Sequence, residues 1–146
     1  MIVKLPLDFE QPSIAAEAAI DAGADALTLI NTVPAMAIDV RSRRSVIGRW
    51  SGGSSGRGVH PLAVRMVADV YRDLAGPAGV PVIGLGGVMR WQDAAEFMLA
   101  GASAVGMGTA LFVDPRRPAK ILRGLRRWAA SQGVDQIADL IGQVKD

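Results

Sequence analysis

Short apolar runs alternate with longer amphipathic segments along most of this chain. Apolar runs bounded by turn residues predict four buried strands, over Met1–Leu5, Asp25–Ile30, Val80–Leu85 and Ser103–Gly108. Apolar residues at helical spacing predict helices over Ser13–Gly23, Pro61–Ala75, Trp91–Gly101 and Pro118–Gly133, with a further short helix in Val134–Val144. The long segment between Asn31 and Pro61 shows neither period and is predicted to be irregular.

The predicted elements follow the order β-α-β-α-β-α-β-α, which is typical of parallel strands joined by right-handed crossovers. The strands are continuously apolar, as expected for a sheet covered on both faces. A complete (β/α)8 barrel takes about 250 residues. The pattern therefore predicts a single α/β domain over residues 1–146, either an open four-stranded sheet or one half of a barrel.

Composition narrows the possible functions. The 146 residues include no cysteine and one histidine, which excludes disulfides and thiolate metal sites and leaves no metal-ligating cluster in the sequence pattern. The net charge of +2 is too small to indicate a nucleic-acid partner. The sequence shows no apolar run of about 18 residues and no leader-like start. We expect a cytoplasmic protein that binds neither nucleic acid nor membrane.

Glycines and small polar residues follow the predicted strands at the points where the strands end. They are Lys4, Asn31, Thr32, Gly86, Gly87, Gly108 and Thr109. Ligands of parallel βα arrays bind at this edge of the sheet. Glycine lets backbone N–H groups approach an anion closely, so the turns GLGG and GMGT predict a shared phosphate site. Two unrelated tight turns are the alternative.

Lys4 and the glycine–serine stretch before Arg57 each have two interpretations, whereas His60 and the tryptophans have one. Lys4 in an apolar strand reaches either an anionic ligand or solvent. The stretch SGGSSG (Ser51–Gly56) is either a flexible linker or a loop that covers a ligand. His60 is predicted to be an exposed loop residue. The side chains of Trp50, Trp91 and Trp128 are predicted to serve packing.

Several motifs together resemble those of a known family. The motifs are VKLP, ADALTLINT, GGSSG, HPLAVRMV, PVIGLGGV, DAAEFMLAGASAVGMGTALFVDP and LIGQV. In order and spacing they are similar to the C-terminal half of class 1 dihydroorotate dehydrogenases, above all the subtype that works with an iron–sulfur electron-transfer partner. The resemblance covers the chain from about Val3 to its end. It implies the (βα)4 half of a TIM (β/α)8 barrel, FMN as cofactor, and oxidation of dihydroorotate to orotate in pyrimidine biosynthesis.

The resemblance also implies roles for individual residues. Lys4 resembles the family lysine that contacts FMN, Ile30 packs at the flavin, and Gly56 lies in the loop over it. Asn31 and Thr32 match residues that hydrogen-bond the pyrimidine substrate. The FMN phosphate would be held by Gly86, Gly87, Gly108 and Thr109.

The chain departs from the family pattern where catalysis is concerned. The family's catalytic base, a cysteine in class 1, lies in the N-terminal half, and this chain has no cysteine. The family's Ser-Pro-Asn after the lysine is here Pro6-Leu7-Asp8, GGLSG is GGSSG, and the family glycine after Asn-Thr is replaced around Val33–Met36. We therefore predict no catalytic residue in this chain and an FMN-binding face that does not complete catalysis alone.

The predicted sheet has two open edges, formed by its first and last strands, and neither carries the residues that usually blunt an edge. The apolar side chains assigned to the inward face would also lack the layers that fill a barrel. They are Val3, Leu27, Leu29, Val82 and Val105. We expect a homodimer or higher homo-oligomer, or pairing with a separate N-terminal half-barrel chain. A noncatalytic self-associating (βα)4 module and an unrelated phosphosugar-binding enzyme are the alternative functions.

Overall fold

Four parallel strands form the main sheet of the protein. The computed structural model describes residues 1–6 and 12–145. In chain order the strands are β1 (Ile2–Lys4), β2 (Ala26–Leu29), β3 (Val33–Ala35), β4 (Ile38–Asp39), β5 (Arg44–Ser45), β6 (Gly52–Ser54), β7 (Val82–Leu85) and β8 (Ala104–Gly106). The main sheet has the order β1-β2-β7-β8, with every pair parallel. The predicted α/β array of four parallel strands is therefore confirmed, and β1 and β8 are its edges.

Within the residues that the structure describes, five α-helices connect or follow these strands. They are α1 (Pro12–Asp21), α2 (His60–Val70), α3 (Trp91–Leu99), α4 (Thr109–Val113) and α5 (Arg117–Ser131). A π-helical turn, Tyr71–Ala75, extends α2, and short 3-10 turns cover Arg57–Val59 and Ile137–Leu140. The four long helices were predicted to within a few residues, whereas α4 was not predicted. In the described parts of the chain, none of the helices is long and apolar enough to cross a membrane.

Helices α1, α2, α3 and α5 form one core cluster with the strands of the main sheet. Leu27, Leu29 and Val82 are fully buried and belong to one cluster with Val67 of α2 and Phe97 of α3. The prediction that these strand residues face an open barrel interior is therefore wrong. Val3 and Val105 share their face, since Val3 pairs with Leu27, and both pack against the same cluster. Side chains alternate between the two faces along a strand. The face that would point into a barrel is therefore formed by the strand residues that lie between the five named above.

The opposite face of the sheet is only partly covered. Ile2 is 60% exposed, Lys4 and Ala104 are exposed, and Ile83 and Leu85 are half-buried. In a closed barrel this face would be filled by side chains of other strands. The sheet is therefore incompletely covered on one face, as expected. The residues on that face are the ones named here and not the five that the sequence predicted.

Two small antiparallel ladders occupy the segment predicted to be irregular. Strand β3 pairs with β6 and β4 pairs with β5. Each ladder has two or three residue pairs, too few to show an alternating hydrophobic pattern in the sequence. The β3–β6 ladder matters for function because it carries the chain from the end of β2 back to the start of α2.

Helix α3 begins with a capping arrangement centred on Asp93. The carboxylate of Asp93 accepts hydrogen bonds from the backbone N–H groups of Met89 and Arg90 and from Nε of Arg90. Burial alone would raise the pKa of Asp93, but the bonds from Met89 and Arg90 hold it below its ordinary value. An ionised acceptor thus fixes the start of α3 directly after the glycine turn that follows β7.

Candidate functional site

A cavity of about 250 Å³ lies at the carboxyl ends of the parallel strands. It is lined by all nine residues that the sequence singled out for binding: Lys4, Ile30, Asn31, Thr32, Gly56, Gly86, Gly87, Gly108 and Thr109. Further lining residues include Ser54, Ser55, Val59, Leu85, Val88, Met89, Gly106, Met107, Ala110 and Phe112. The structure therefore brings all nine predicted residues together at the carboxyl ends of the strands.

The turn after β7 is shaped by its contact with the start of α2. Gly86 and Gly87 have φ values of 150° and 67°, in the region that favours glycine. A Cβ on Gly86 would lie 2.7 Å from the Cβ of Ala63, and one on Gly87 would lie 2.7 Å from the Cβ of His60. Packing against α2 therefore already requires glycine at both positions.

The turn after β8 is different. Gly108 is exposed, its φ is negative, and a Cβ added to it would meet no described atom within 4 Å. Packing in the described part of the chain therefore does not explain a glycine here. The neighbouring Thr109 shares a hydrogen bond of 2.9 Å between its Oγ1 and the Oγ of Ser55.

The GGSSG loop closes the cavity from the side of β6. Gly53 packs so tightly on Thr32 that a Cβ would collide with the threonine side chain. Gly56 has φ 91°, and a Cβ there would lie 3.7 Å from Cγ2 of Thr109. The segment is thus a structured wall of the cavity, which favours the predicted covering loop over a flexible linker. Ser55 was not singled out, although its place beside Gly56 in the motif could have indicated it.

Three side chains hold the backbone between β7 and α3. His60 Nδ1 lies 2.8 Å from the carbonyl oxygen of Gly86, Arg117 Nη1 donates to the carbonyl of Met89 at 3.0 Å, and Asp93 accepts from Met89 N–H. The prediction of an exposed loop position for His60 is wrong, because the residue is 6% exposed and begins α2. His60 opens the motif HPLAVRMV and lies directly before Pro61, a residue common at helix starts, so a place at the start of the helix was indicated but its burial was not.

The tryptophans differ in their surroundings. Trp91 and Trp128 pack together with ring centroids 6.4 Å apart, as predicted. Trp50 is 83% exposed, so the prediction that it serves packing is wrong for the described residues. It lies in the segment between β5 and β6, away from the cavity.

The chemistry of the cavity is that of a binding site for an anion with an apolar part. Lys4 has the one charged side chain among the described lining residues, while Asn31 and Thr32 at the rim can both donate and accept hydrogen bonds. Among the same residues there is no cysteine, histidine or carboxylate that could act as a general base. Of the divergent Pro6-Leu7-Asp8, Leu7 and Asp8 lie outside the described residues.

Comparison with known proteins agrees with this geometry. A sequence profile described as Dihydroorotate dehydrogenase matches residues 1–128. The proteins described as "Dihydroorotate dehydrogenase B (NAD(+)), catalytic subunit" from Pelobacter propionicus and Geotalea daltonii are 46% and 44% identical to the chain over 145 residues. These residues are 99% of this chain and 46% of each relative, so the chain spans about half the length of the curated relatives it matches.

A solved structure shows the same arrangement of elements. The crystal structure of DHODH from Eimeria tenella in complex with ferulenol matches with a TM-score of 0.79 and 29% identity. The match covers 97% of this chain and 37% of the other.

Parallel βα units in chain order, with a cavity at their carboxyl ends, define an α/β protein of the (β/α)8-barrel class, represented here by four units. Within that class the chain belongs to the dihydroorotate dehydrogenase family, whose members are oxidoreductases of pyrimidine biosynthesis. The resemblance noted from the sequence motifs is confirmed.

Proposed function

We propose that this chain forms the FMN-binding face of a dihydroorotate dehydrogenase and does not complete catalysis by itself. One observation carries the proposal: all nine residues that match the family's flavin and substrate motifs line a single cavity at the strand ends. The volume of about 250 Å³ lies just below the range of about 300–1,000 Å³ usual for ligand pockets. A cleft of this size suits the phosphate end and part of the flavin.

The glycines indicate a phosphate site only where packing within the protein does not already explain them. Gly86 and Gly87 are needed for packing against α2, so they do not argue for a ligand on their own. Gly108 has no such reason, and it faces the open cavity beside Thr109. A close approach of an anion to the backbone explains why this position carries no side chain.

The remaining residues have distinct tasks in the proposal. Lys4 places a positive charge near the flavin, and Ile30, which is 2% exposed, supplies an apolar wall. Asn31 and Thr32 orient the pyrimidine by hydrogen bonds, with Thr32 held by its contact with Gly53. Bound FMN would supply the electron-accepting chemistry for the oxidation of dihydroorotate to orotate.

We expect Gly108→Ala to weaken FMN binding about 10- to 100-fold, since the added methyl group displaces about one hydrogen bond to a charged oxygen, worth roughly 1.5–3 kcal/mol. Titration of FMN followed by quenching of flavin fluorescence measures the effect. Gly58→Ala is the matched control, because a Cβ there also meets open space but lies outside the cavity. Equal affinities of the two variants, or no binding by the unmodified chain at millimolar FMN, would refute the proposal.

Self-association is the second candidate function, and the partly covered sheet face favours it. The edge strand β1 presents Ile2 and Lys4 on this face, and the other edge strand, β8, presents Ala104. Unpaired strand edges and exposed apolar side chains favour pairing with another sheet. Two copies related by a two-fold axis would cover the strand edges and the exposed apolar side chains. A separate half-barrel chain would do the same.

We expect the isolated chain to form a dimer or higher oligomer at micromolar concentration, measured by size-exclusion chromatography with light scattering. Ile2→Glu should shift the protein toward monomer, because it places a charge on the associating face. Ile14→Glu is the control: Ile14 is similarly exposed, 57% against 60%, but lies on helix α1. A monodisperse monomer of about 15.3 kDa that binds no ANS dye would contradict self-association.

A further inference from the structure

The turn that follows β7 contains two consecutive glycines, and such a turn needs outside support to keep one conformation. Glycine loses more conformational freedom on folding than any other residue, and fixing one residue's backbone costs roughly 1–2 kcal/mol. Gly86 and Gly87 are both half-buried and both have positive φ. Whatever holds them also sets the geometry of one wall of the cavity.

His60 supplies this support from the start of α2. Its Nδ1 lies 2.8 Å from the carbonyl oxygen of Gly86, and its Cβ and backbone nitrogen lie against Gly87. The ring is held in place by Phe97, with which it makes an edge-to-face contact at a centroid distance of 5.1 Å. The side chain thus contacts the turn at two points and is itself packed in the core.

The hydrogen bond determines which ring nitrogen carries a proton. A carbonyl oxygen only accepts, so Nδ1 must be protonated for the contact with Gly86 to form. Nε2 is buried, has no hydrogen-bond partner among the described residues, and lies 3.4 Å from Oε2 of Glu96, with the carboxylate of Asp93 also nearby. Whether or not Nε2 carries a second proton, the Nδ1–H bond to Gly86 is made.

We propose that His60 is a positioning residue of the FMN-phosphate cradle, acting through its Nδ1–H bond to the carbonyl of Gly86. This inference rests on the proposed function, because the turn is assigned to FMN through it. His60 does not line the cavity, and it acts by holding Gly86 and Gly87 in the orientation that the ligand meets.

Two substitutions separate positioning from packing. His60→Asn retains an N–H donor close to the place of Nδ1, whereas His60→Leu retains apolar bulk and has no donor. We expect His60→Leu to weaken FMN binding about fivefold to tenfold, the usual effect of losing one hydrogen bond. His60→Asn should restore affinity to within about twofold of the unmodified chain. Glu96→Gln, which leaves the Nδ1 bond in place, is the control and should leave affinity unchanged.

Nuclear magnetic resonance gives a readout that does not depend on FMN. His60 is the single histidine of the chain, so its ring signals are unambiguous. They should show a protonated Nδ1. The backbone order parameters of Gly86 and Gly87 should be near 0.85 in the unmodified chain and in His60→Asn, and fall toward about 0.6 in His60→Leu.

The outcomes distinguish this inference from the proposed function. If the unmodified chain binds no FMN, the proposed function fails, while the tautomer and the order parameters still decide whether His60 holds the turn. A ring protonated at Nε2 alone would overturn the inference. Equal weakening in His60→Asn and His60→Leu, with unchanged order parameters, would also overturn it.

Discussion

Phe97→Ala should lower the free energy of unfolding by about 3–5 kcal/mol, the usual cost of removing a buried aromatic ring. Phe97 is fully buried on α3 and is the largest such side chain described. It packs on Gly84 of β7, where an added Cβ would lie 2.5 Å from its ring, and against His60. Sheet, α2 and α3 therefore meet at this residue. Chemical denaturation monitored by circular dichroism measures the loss.

The chain provides a matched control in Phe112, which is 93% exposed. Phe112→Ala should change the free energy of unfolding by no more than about 0.5 kcal/mol. The free energy of unfolding of a domain is typically about 5–15 kcal/mol. If Phe97→Ala is unfolded even without denaturant, that result also supports the prediction. Phe97→Leu then gives a smaller, measurable loss. Similar small losses in the two alanine variants would show that the ring is not central to the core.

Oxidation of dihydroorotate by this chain alone should be undetectable. A general base typically contributes about 10²–10⁴-fold to a rate, and the described lining residues of the cavity include no cysteine, histidine or carboxylate. The chain as a whole has no cysteine. Formation of orotate from dihydroorotate, with an artificial electron acceptor and excess FMN, measures the rate.

The assay needs a positive control and proof that FMN is bound. The full-length catalytic subunit from Pelobacter propionicus, assayed under the same conditions, provides the first. Quenching of flavin fluorescence shows that FMN is bound. A lack of activity then cannot be due to missing cofactor. FMN-dependent orotate formation above the background without protein would contradict the prediction, and a rate within about tenfold of the control's would also show that the missing base is not needed.

The sequence predicted the main sheet and its ligand edge because both follow from strong local patterns. Buried parallel strands are continuous apolar runs, and glycines gather where such strands end. Gly86, Gly87, Gly108 and Thr109 were therefore predicted to lie together, and the structure brings them into one cavity. Order along the chain was enough here, because the order of the strands in the sheet is the same.

The face of each strand was predicted wrongly, although the necessary signal was present. Lys4 was assigned to the ligand side, and the alternation along a strand then sends Val3 to the opposite side. The register pairs Val3 with Leu27 and Leu27 with Val82, so these residues face the helices. A continuous apolar run has no alternation that shows which residues share a face. Lys4, the charged residue in the first strand, was the signal that places Val3 on the opposite face.

Other features had too little local signal to be predicted. The ladders β3–β6 and β4–β5 have only two or three residue pairs each, and strands this short show no periodic pattern in the sequence. The burial of His60 depends on Phe97 and Gly86, which are distant in sequence. Tertiary contacts of this kind override what a single position indicates.

The β3–β6 ladder also affects the entropy of closing the sheet. Leu27 and Val82 are more than twice as far apart along the chain as Ile2 and Ala26, so pairing β2 with β7 closes the longest loop of the main sheet. Each doubling of loop length costs about 0.6 kcal/mol. Because Val33 pairs with Ser54, the stretch between them is closed off, and the remaining loop is shorter by about a third. The small ladder thus lowers the further chain-entropy cost of pairing β2 with β7, while its own contacts have to outweigh the cost of closing the loop between Val33 and Ser54.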